Sequence, residues 1–443
     1  MTKYEPETAA TDHTHSAGCC AEYEQAAELT RRRFVAGMAA GTGLGVASTA
    51  FGGVFRQVVF GQTVKNNVLV VISLRGGIDG LSVVVPYKEQ NYYHSRPTIA
   101  VPEGALIHRN HTFGLNPALK PLGKFWKQDR LAAVHAVGLK VPDRSHFSAM
   151  EAVEDAAPGS ALRQGWVNRA IGLDSGAFPT EAVQFGTSIV PTALAGPEPT
   201  IATDSIAGLY LAAANPEWDS AQWRRRRRNQ LETVWGHAPG SIGRAARSAL
   251  RTVKQMEPYA RQTYKPHHGV TYPTDWPAGD LSDALKNTAQ LIRADVGTEV
   301  VAVDYGSWDM HTDVGSVDGG SMTSMLSGFA KVLAAFLDDL DDLRNRVTVV
   351  TISEFGRRVD ENSAGGLDHG WGNVMLLAGA GVKGGRYYAK WPGLSPQDLG
   401  EGDLKATTDY RNVLAEVVHD RLHRSTAKSF PGLKYRPIGV MKN

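Results

Sequence analysis

The chain reads as an α/β protein with a mostly parallel central sheet and helices on both faces. Two observations predict this. Apolar runs of strand length, "NVLVVISL" (67–74), "LAAVHAVG" (131–138), "EVVAVDY" (299–305), "VTVVTI" (347–352) and "VMLLAG" (374–379), are continuous rather than alternating, as strands buried on both faces require. Between them lie stretches of helical period. The clearest is 322–343, where Met322, Met325, Leu326, Phe329, Val332, Leu333, Phe336, Leu337, Leu340 and Leu343 recur at three- and four-residue steps. Segments 281–294 and 410–422 read as further helices, and strand alternating with helix is the grammar of a sheet covered on both sides.

With 42% hydrophobic and 21% charged residues among 443, the chain has an ordinary globular balance and enough length for a sizeable core. A net charge of +2 gives no polyelectrolyte signal, so nucleic acid is not expected as a partner. One local exception is "WRRRRRNQLETVW" (223–235). With no basic footprint elsewhere, its arginines read as a solvated helix face or a local docking surface. The run lies in 195–280, a less regular stretch rich in Trp, Pro and Arg that reads as a peripheral helical portion of one domain spanning 51–443.

The N-terminus points to a compartment. In "LTRRRFVAGMAAGTGLGVASTAFGG", Arg31 and Arg32 precede Phe34, and no charge follows Arg33 until Arg56, the pattern of a twin-arginine signal over 1–50. Gly37, Gly41, Gly43 and Gly45 keep the apolar region weakly hydrophobic, and Ser48 and Ala50 offer a small-x-small cleavage site. The expected partner is the twin-arginine translocation machinery, and the expected location is exported, periplasmic or extracellular. The alternative is a short uncleaved anchor, since about 20 apolar residues can span a bilayer; stable membrane insertion is not expected. Cys19 and Cys20 both fall inside this leader, so the remainder has no disulfide or thiolate chemistry. Export in the folded state suits a protein that acquires a metal first.

In open α/β sheets ligands collect outside the carboxyl ends of the strands, and this chain places chemically equipped residues there. After the first strand, "LRGGIDGL" delivers Asp79; a nucleotide-binding reading fails because the pattern is not G-x-G-x-x-G. After the second, "KVPDRSHFSAM" puts Ser145 at the start of a helix, where a capping hydroxyl and a nucleophile are both admissible roles. After the third, "GSWDMHTD" places Asp309 and His311 two apart, on one side of an extended segment. After the fourth come Glu354 and Arg357, and "GGLDHGWGN" sets Asp368 and His369 just before the next strand. Asp79, Asp309, His311, Glu354, Asp368 and His369 thus fall at one edge of one sheet, and carboxylate oxygen with imidazole nitrogen is a donor set for a divalent ion.

The set "LVVISLRGGIDGL", "DRSHFSAM", "GSWDMHTD", "TISEFGR" and "GGLDHGWGN", behind a twin-arginine leader, resembles the domain-of-unknown-function 1501 family of exported bacterial proteins over roughly 65–440. More distantly, the resemblance implies the fold of the alkaline phosphatase and sulfatase superfamily. It implies Asp79 as the first-strand metal ligand and Ser145 as the nucleophile. Asp309, His311, Glu354 and His369 would be further ligands. The pattern departs at Glu354-Phe355, where those hydrolases carry Asp-His, so one imidazole is missing and one divalent ion is expected rather than two. Arg358-Val359 also stands where the family tends to carry Thr-Pro, a change peripheral to the chemistry. The function so implied is an exported, metal-dependent hydrolase of phosphate or sulfate esters, acting on a small-molecule ester, with Arg357 offsetting charge on the ester oxygens. The alternative is a non-catalytic exported binding or accessory protein that keeps the fold. A partner for a redox system finds no haem, flavin or iron–sulfur motif to support it.

Overall fold

Alternate side chains of the first strand enter two different cores. In the computed structural model, which describes residues 67–158, 163–171, 179–213 and 216–442, Val68, Val70, Ile72 and Leu74 join one buried cluster while Leu69 and Val71 join another. The strands in chain order are β1 (Val68–Leu74), β2 (Val84–Val85), β3 (Gly114–Leu115), β4 (Leu131–Gly138), β5 (Ala182–Phe185) and β6 (Ile201–Thr203), then β7 (Val300–Tyr305), β8 (Val347–Ile352), β9 (Asn373–Gly379), β10 (Arg386–Tyr388) and β11 (Thr408–Asp409). The main sheet runs β10-β4-β9-β8-β1-β7-β5-β6, with β11 also paired to β4; β2 and β3 form a separate pair. Within the main sheet, β9 is antiparallel to both its neighbours, β4 and β8, and the other pairings are parallel. The carboxyl ends of β1, β4, β7 and β8 and the amino end of β9 therefore share one edge.

The longer helices are α1 (His146–Asp155), α2 (Ala221–Trp235), α3 (Gly240–Ala260), α4 (Gly279–Ala294), α5 (Ser321–Asp339) and α6 (Tyr410–Leu422). Apolar residues of α4 and α5, among them Leu285, Ile292, Phe329 and Phe336, cover one face of the sheet. Met150 and Val153 of α1 and Val413, Leu414 and Val417 of α6 cover the other. This two-sided burial is why the central strands read as unbroken apolar runs.

The expected helix over 322–343 ends at Asp339, and Asp341–Leu343 follows as a separate 3-10 turn. The stretch 195–280 is more than a peripheral portion. Ile201–Thr203 is the edge strand beside β5, and Met256, Ala260 and Tyr272 are buried in the core under α4 and α5. The leader over 1–50, with both cysteines, lies outside the described residues. Among the described residues no helix is long and apolar enough to cross a membrane.

Candidate metal centre

The loops after β4, β7 and β8 and the loop before β9 each contribute a side chain, and glycines let them close on one another and on the loop after β1. Gly76, at φ +111, follows β1, and a Cβ there would stand 2.5 Å from the backbone nitrogen of Asp309. At Gly366 a Cβ would fall 1.9 Å from the carbonyl oxygen of His311. Neither position admits a side chain, because the loops after β1 and β7 and the loop before β9 touch through their backbones. The segments after β8 and before β9 also pair, with Gly356 N donating to Trp371 O at 3.0 Å and Gly370 N to Gly356 O at 2.9 Å.

Three imidazoles and one carboxylate converge there. His369 Nε2 lies 3.1 Å from His146 Nε2 and 3.0 Å from His311 Nε2. Asp309 Oδ1 is 3.0 Å from His311 Nε2 and 3.2 Å from His369 Nε2, and Asp309 Oδ2 is 3.5 Å from His146 Nε2. A tetrahedron of N and O donors about 2.0–2.1 Å from a central ion has edges of roughly 3.3–3.4 Å. The separations among His146, Asp309 and His369 have that scale, while His311 meets only the His369 and Asp309 side of the group.

The other ring nitrogens fix the tautomers. His146 Nδ1 faces Glu354 Oε1 at 2.8 Å, His369 Nδ1 faces the carbonyl oxygen of Arg144 at 2.7 Å, and His311 Nδ1 faces Asp368 Oδ1 at 3.0 Å. Each acceptor calls for a proton on Nδ1, so in the neutral ring Nε2 is left as a lone-pair donor. Three such lone pairs cannot satisfy one another. Imidazoles held from behind by carboxylates and carbonyls, with their free nitrogens converging, are the arrangement in which protein histidines bind metals. Phe355 packs its ring against those of His146 and His369, with centroids 4.8 and 4.7 Å away.

Without an ion, positive charge is drawn onto the His146 ring itself, and a cation at Nε2 would take the place of that proton. Burial lowers the His146 pKa, but the nearby Asp309 and Glu354 carboxylates outweigh it and raise the group to about 9. Burial pushes Asp309 up, yet His146, His369 and Arg357 hold it well below the ordinary carboxylate range. Glu354 is likewise lowered against its own burial, by His146 and by backbone donors that include Gly76 N at 2.7 Å. Asp309 Oδ2 is buried and makes no hydrogen bond.

The residues singled out in the sequence fall into three groups. Asp309, His311 and His369 supply converging donor atoms, while Glu354 and Asp368 stand behind imidazoles. Asp79 is elsewhere. Its Oδ2 and Oδ1 take Arg96 Nη1 and Nη2 at 2.5 and 3.0 Å, and Oδ2 also accepts from Ser82 N at 2.9 Å, so it caps the turn at Gly80–Val83 inside a buried ion pair. Burial works to raise Asp79, and Arg96 overcomes it to hold the carboxyl low.

Arg357 is buried and committed to the loops. It donates to the carbonyls of Gly77 (2.6 Å), Leu367 (2.9 Å), Trp308 (3.2 Å) and Gly76, and to Asp309 Oδ1 at 2.7 Å. Its donors are spent on the cluster's framework rather than left free to offset charge on an ester. Ser145 is exposed at the N-cap of α1, but its hydroxyl makes no capping bond. His146, one residue on, is a further ligand candidate; its signal in the sequence is an imidazole at the first position of a helix that starts from the carboxyl edge of the sheet. It restores an imidazole beside Glu354 from a different element. His146, Asp309 and His369 are the one group of three or more potential metal-holding residues among the described residues that comes together, and His311 joins from the solvent side, 40% exposed.

These features define an α/β protein with a histidine-rich cluster that could hold a metal ion at the carboxyl edge of its sheet. Residues 255–432 match the family described as "Protein of unknown function (DUF1501)", a narrower span than the motifs suggested but one that holds Asp309, His311, Glu354, Asp368 and His369. No curated protein matches in sequence. Among solved structures, alkaline phosphatase from the Antarctic bacterium TAB5 is similar at 12% identity and a TM-score of 0.30, over 73% of this chain and 94% of that one. The PsFucS1 sulfatase from Pseudoalteromonas sp. is similar at 10% identity and a TM-score of 0.33, over 85% of this chain and 74% of that one. At TM-scores this low the likenesses carry nothing about substrate or mechanism.

Proposed function

We propose that the chain is an exported hydrolase of phosphate or sulfate esters that depends on one divalent ion held by His146, Asp309, His311 and His369. The observation that carries this reading is the convergence of the Nε2 atoms of His146, His311 and His369 around a carboxylate that keeps a buried oxygen without a hydrogen bond. A cation bound there would polarise an ester oxygen and acidify a water that it holds. The protein's own residues do the positioning. Glu354, Asp368 and the Arg144 carbonyl orient the rings, and Arg357 ties the loops after β1, β7 and β8 to Asp309. Ser145, exposed beside His146, is the candidate nucleophile.

A specific observation favours a second reading, a binding or accessory protein. Arg357 is consumed by carbonyls and Asp309, and Ser145 has no base bonded to its hydroxyl. A panel of aryl phosphate and aryl sulfate esters separates the two. The hydrolase reading expects metal-dependent turnover that Asp309→Asn abolishes and that Ser145→Ala abolishes without changing metal content. A metal-loaded wild type inert to the whole panel would overturn the ester-hydrolase reading in favour of the accessory one.

A further inference from the structure

The arginine run that plays no part in the metal centre is divided by its helix into a buried side and an exposed side. Arg224, Arg228, Leu231 and Trp235, at three- and four-residue steps, form the side of α2 turned toward the protein. Arg224 is buried between Asp219 and Glu257, at 2.7 Å from each, and Arg228 reaches the other oxygen of Glu257 at 3.1 Å, which bolts α2 to α3. Arg225, Arg226 and Arg227 are exposed. On α3, Arg244, Arg251 and Lys254 are exposed as well, opposite the buried Ala246, Ala249, Leu250, Val253 and Met256. Between 221 and 260 stand nine Lys or Arg and two Glu, a net +7 in a chain whose total is +2. The rest of the chain is therefore acidic, and the positive charge is gathered on one hairpin.

The tip of that hairpin is apolar. Val234, at the end of α2, is 65% exposed, and Ile242, at the start of α3, is 55% exposed. Arg247 Nη1 clamps the turn between them by donating to the carbonyls of Ala238 at 2.7 Å and Trp235 at 3.3 Å. Trp218, just before α2, is 64% exposed. Large apolar side chains held out to water by a rigid turn and flanked by arginines have a physical use at one kind of surface: apolar tips bury at the headgroup boundary while guanidinium groups meet lipid phosphates.

We propose that the α2–α3 hairpin docks the protein peripherally on an anionic lipid surface, with Val234 and Ile242 entering the interface and Arg225, Arg226, Arg227 and Arg244 on headgroup phosphates. A dissolved polyanion would match the arginines but gives Val234 and Ile242 no route out of water. A second copy of the hairpin would bring like charge against like. The contact needs no spanning helix and leaves the metal centre's residues untouched.

The test is co-sedimentation of the full chain with vesicles of mixed phosphatidylglycerol and phosphatidylcholine, against phosphatidylcholine alone. Binding to the anionic vesicles only is expected, weakening as salt rises. Replacing Arg225, Arg226 and Arg227 together by Gln should weaken it on the order of 100-fold. The charge-neutral pair Val234→Ser and Ile242→Ser should weaken it by about tenfold or more. Melting temperature and metal content control for folding, and the wild-type salt titration stands as a second measurement should a variant fold poorly. Binding indifferent to anionic lipid or to salt would overturn the proposal. So would a serine variant that binds like wild type while soluble polyphosphate competes, which would assign the surface to a free polyanion.

Discussion

Two carboxylates stand at the same edge of the sheet and meet opposite fates. Asp79, after β1, has both oxygens taken by Arg96 and one also by Ser82 N. Asp309, after β7, shares Oδ1 among Arg357 and two imidazoles and keeps Oδ2 without a hydrogen bond. The first is a closed pair whose cation is part of the chain. The second is an open site whose imidazoles are braced from behind and whose remaining valence points inward. A carboxylate delivered to a ligand-binding edge is thus not yet a ligand; what decides is whether the protein supplies its counter-charge.

The comparison is broken most violently at the closed pair. Arg96→Met leaves Asp79 buried and alone, and should cost about 3–5 kcal/mol, read as a lowered urea midpoint with metal content unchanged in the folded fraction. The sign with pH follows from the depressed Asp79 carboxyl. Its contribution is fully present above the ordinary aspartate pKa and is lost as pH falls through the lower folded value. The variant should therefore lose less stability on acidification than wild type does.

At the open site the expected loss is of affinity rather than fold. Glu354→Gln keeps the shape of the group behind His146 but weakens its pull on the Nδ1 proton, and should lower metal affinity about 10–100-fold, measured by competition with a chelator. An unchanged affinity would mean that His146 is not held as a ligand.

Ser145→Ala should be the mildest change to stability. Its hydroxyl makes no capping bond, so the melting temperature should move less than the loss of about 1 kcal/mol typical of a working N-cap. A separate readout concerns the leader: Arg31→Lys with Arg32→Lys should trap the protein in the cytoplasm, because lysine lacks the guanidinium fork, and continued export would remove the twin-arginine expectation.

The strands that the sequence displayed are those buried on both faces. Leu131–Gly138 and Val347–Ile352 stand where the apolar runs placed them, as does the helix Tyr410–Leu422. Ala182–Phe185 was illegible because the buried Gln184 interrupts its apolar pattern, and Ile201–Thr203 because three residues at a sheet edge carry no period. At the site, chain order shows which side chains reach the edge but not what each one meets there. The partner of Asp79 is an arginine 17 residues on in a connecting segment, with no motif to announce it. His146 was visible only as the residue after Ser145, and its importance depends on Glu354, 208 positions away.

We propose that the imidazoles of His146 and His369 and the carboxylate of Asp309, with His311 at their solvent side, hold one cation. Elemental analysis of untagged native protein after exhaustive dialysis, for wild type and His369→Ala, tests it most directly. Close to one divalent ion per chain in wild type and almost none in the variant, both folded, is the result predicted. A fully folded wild type that contains no divalent ion and takes up none when it is supplied would contradict it.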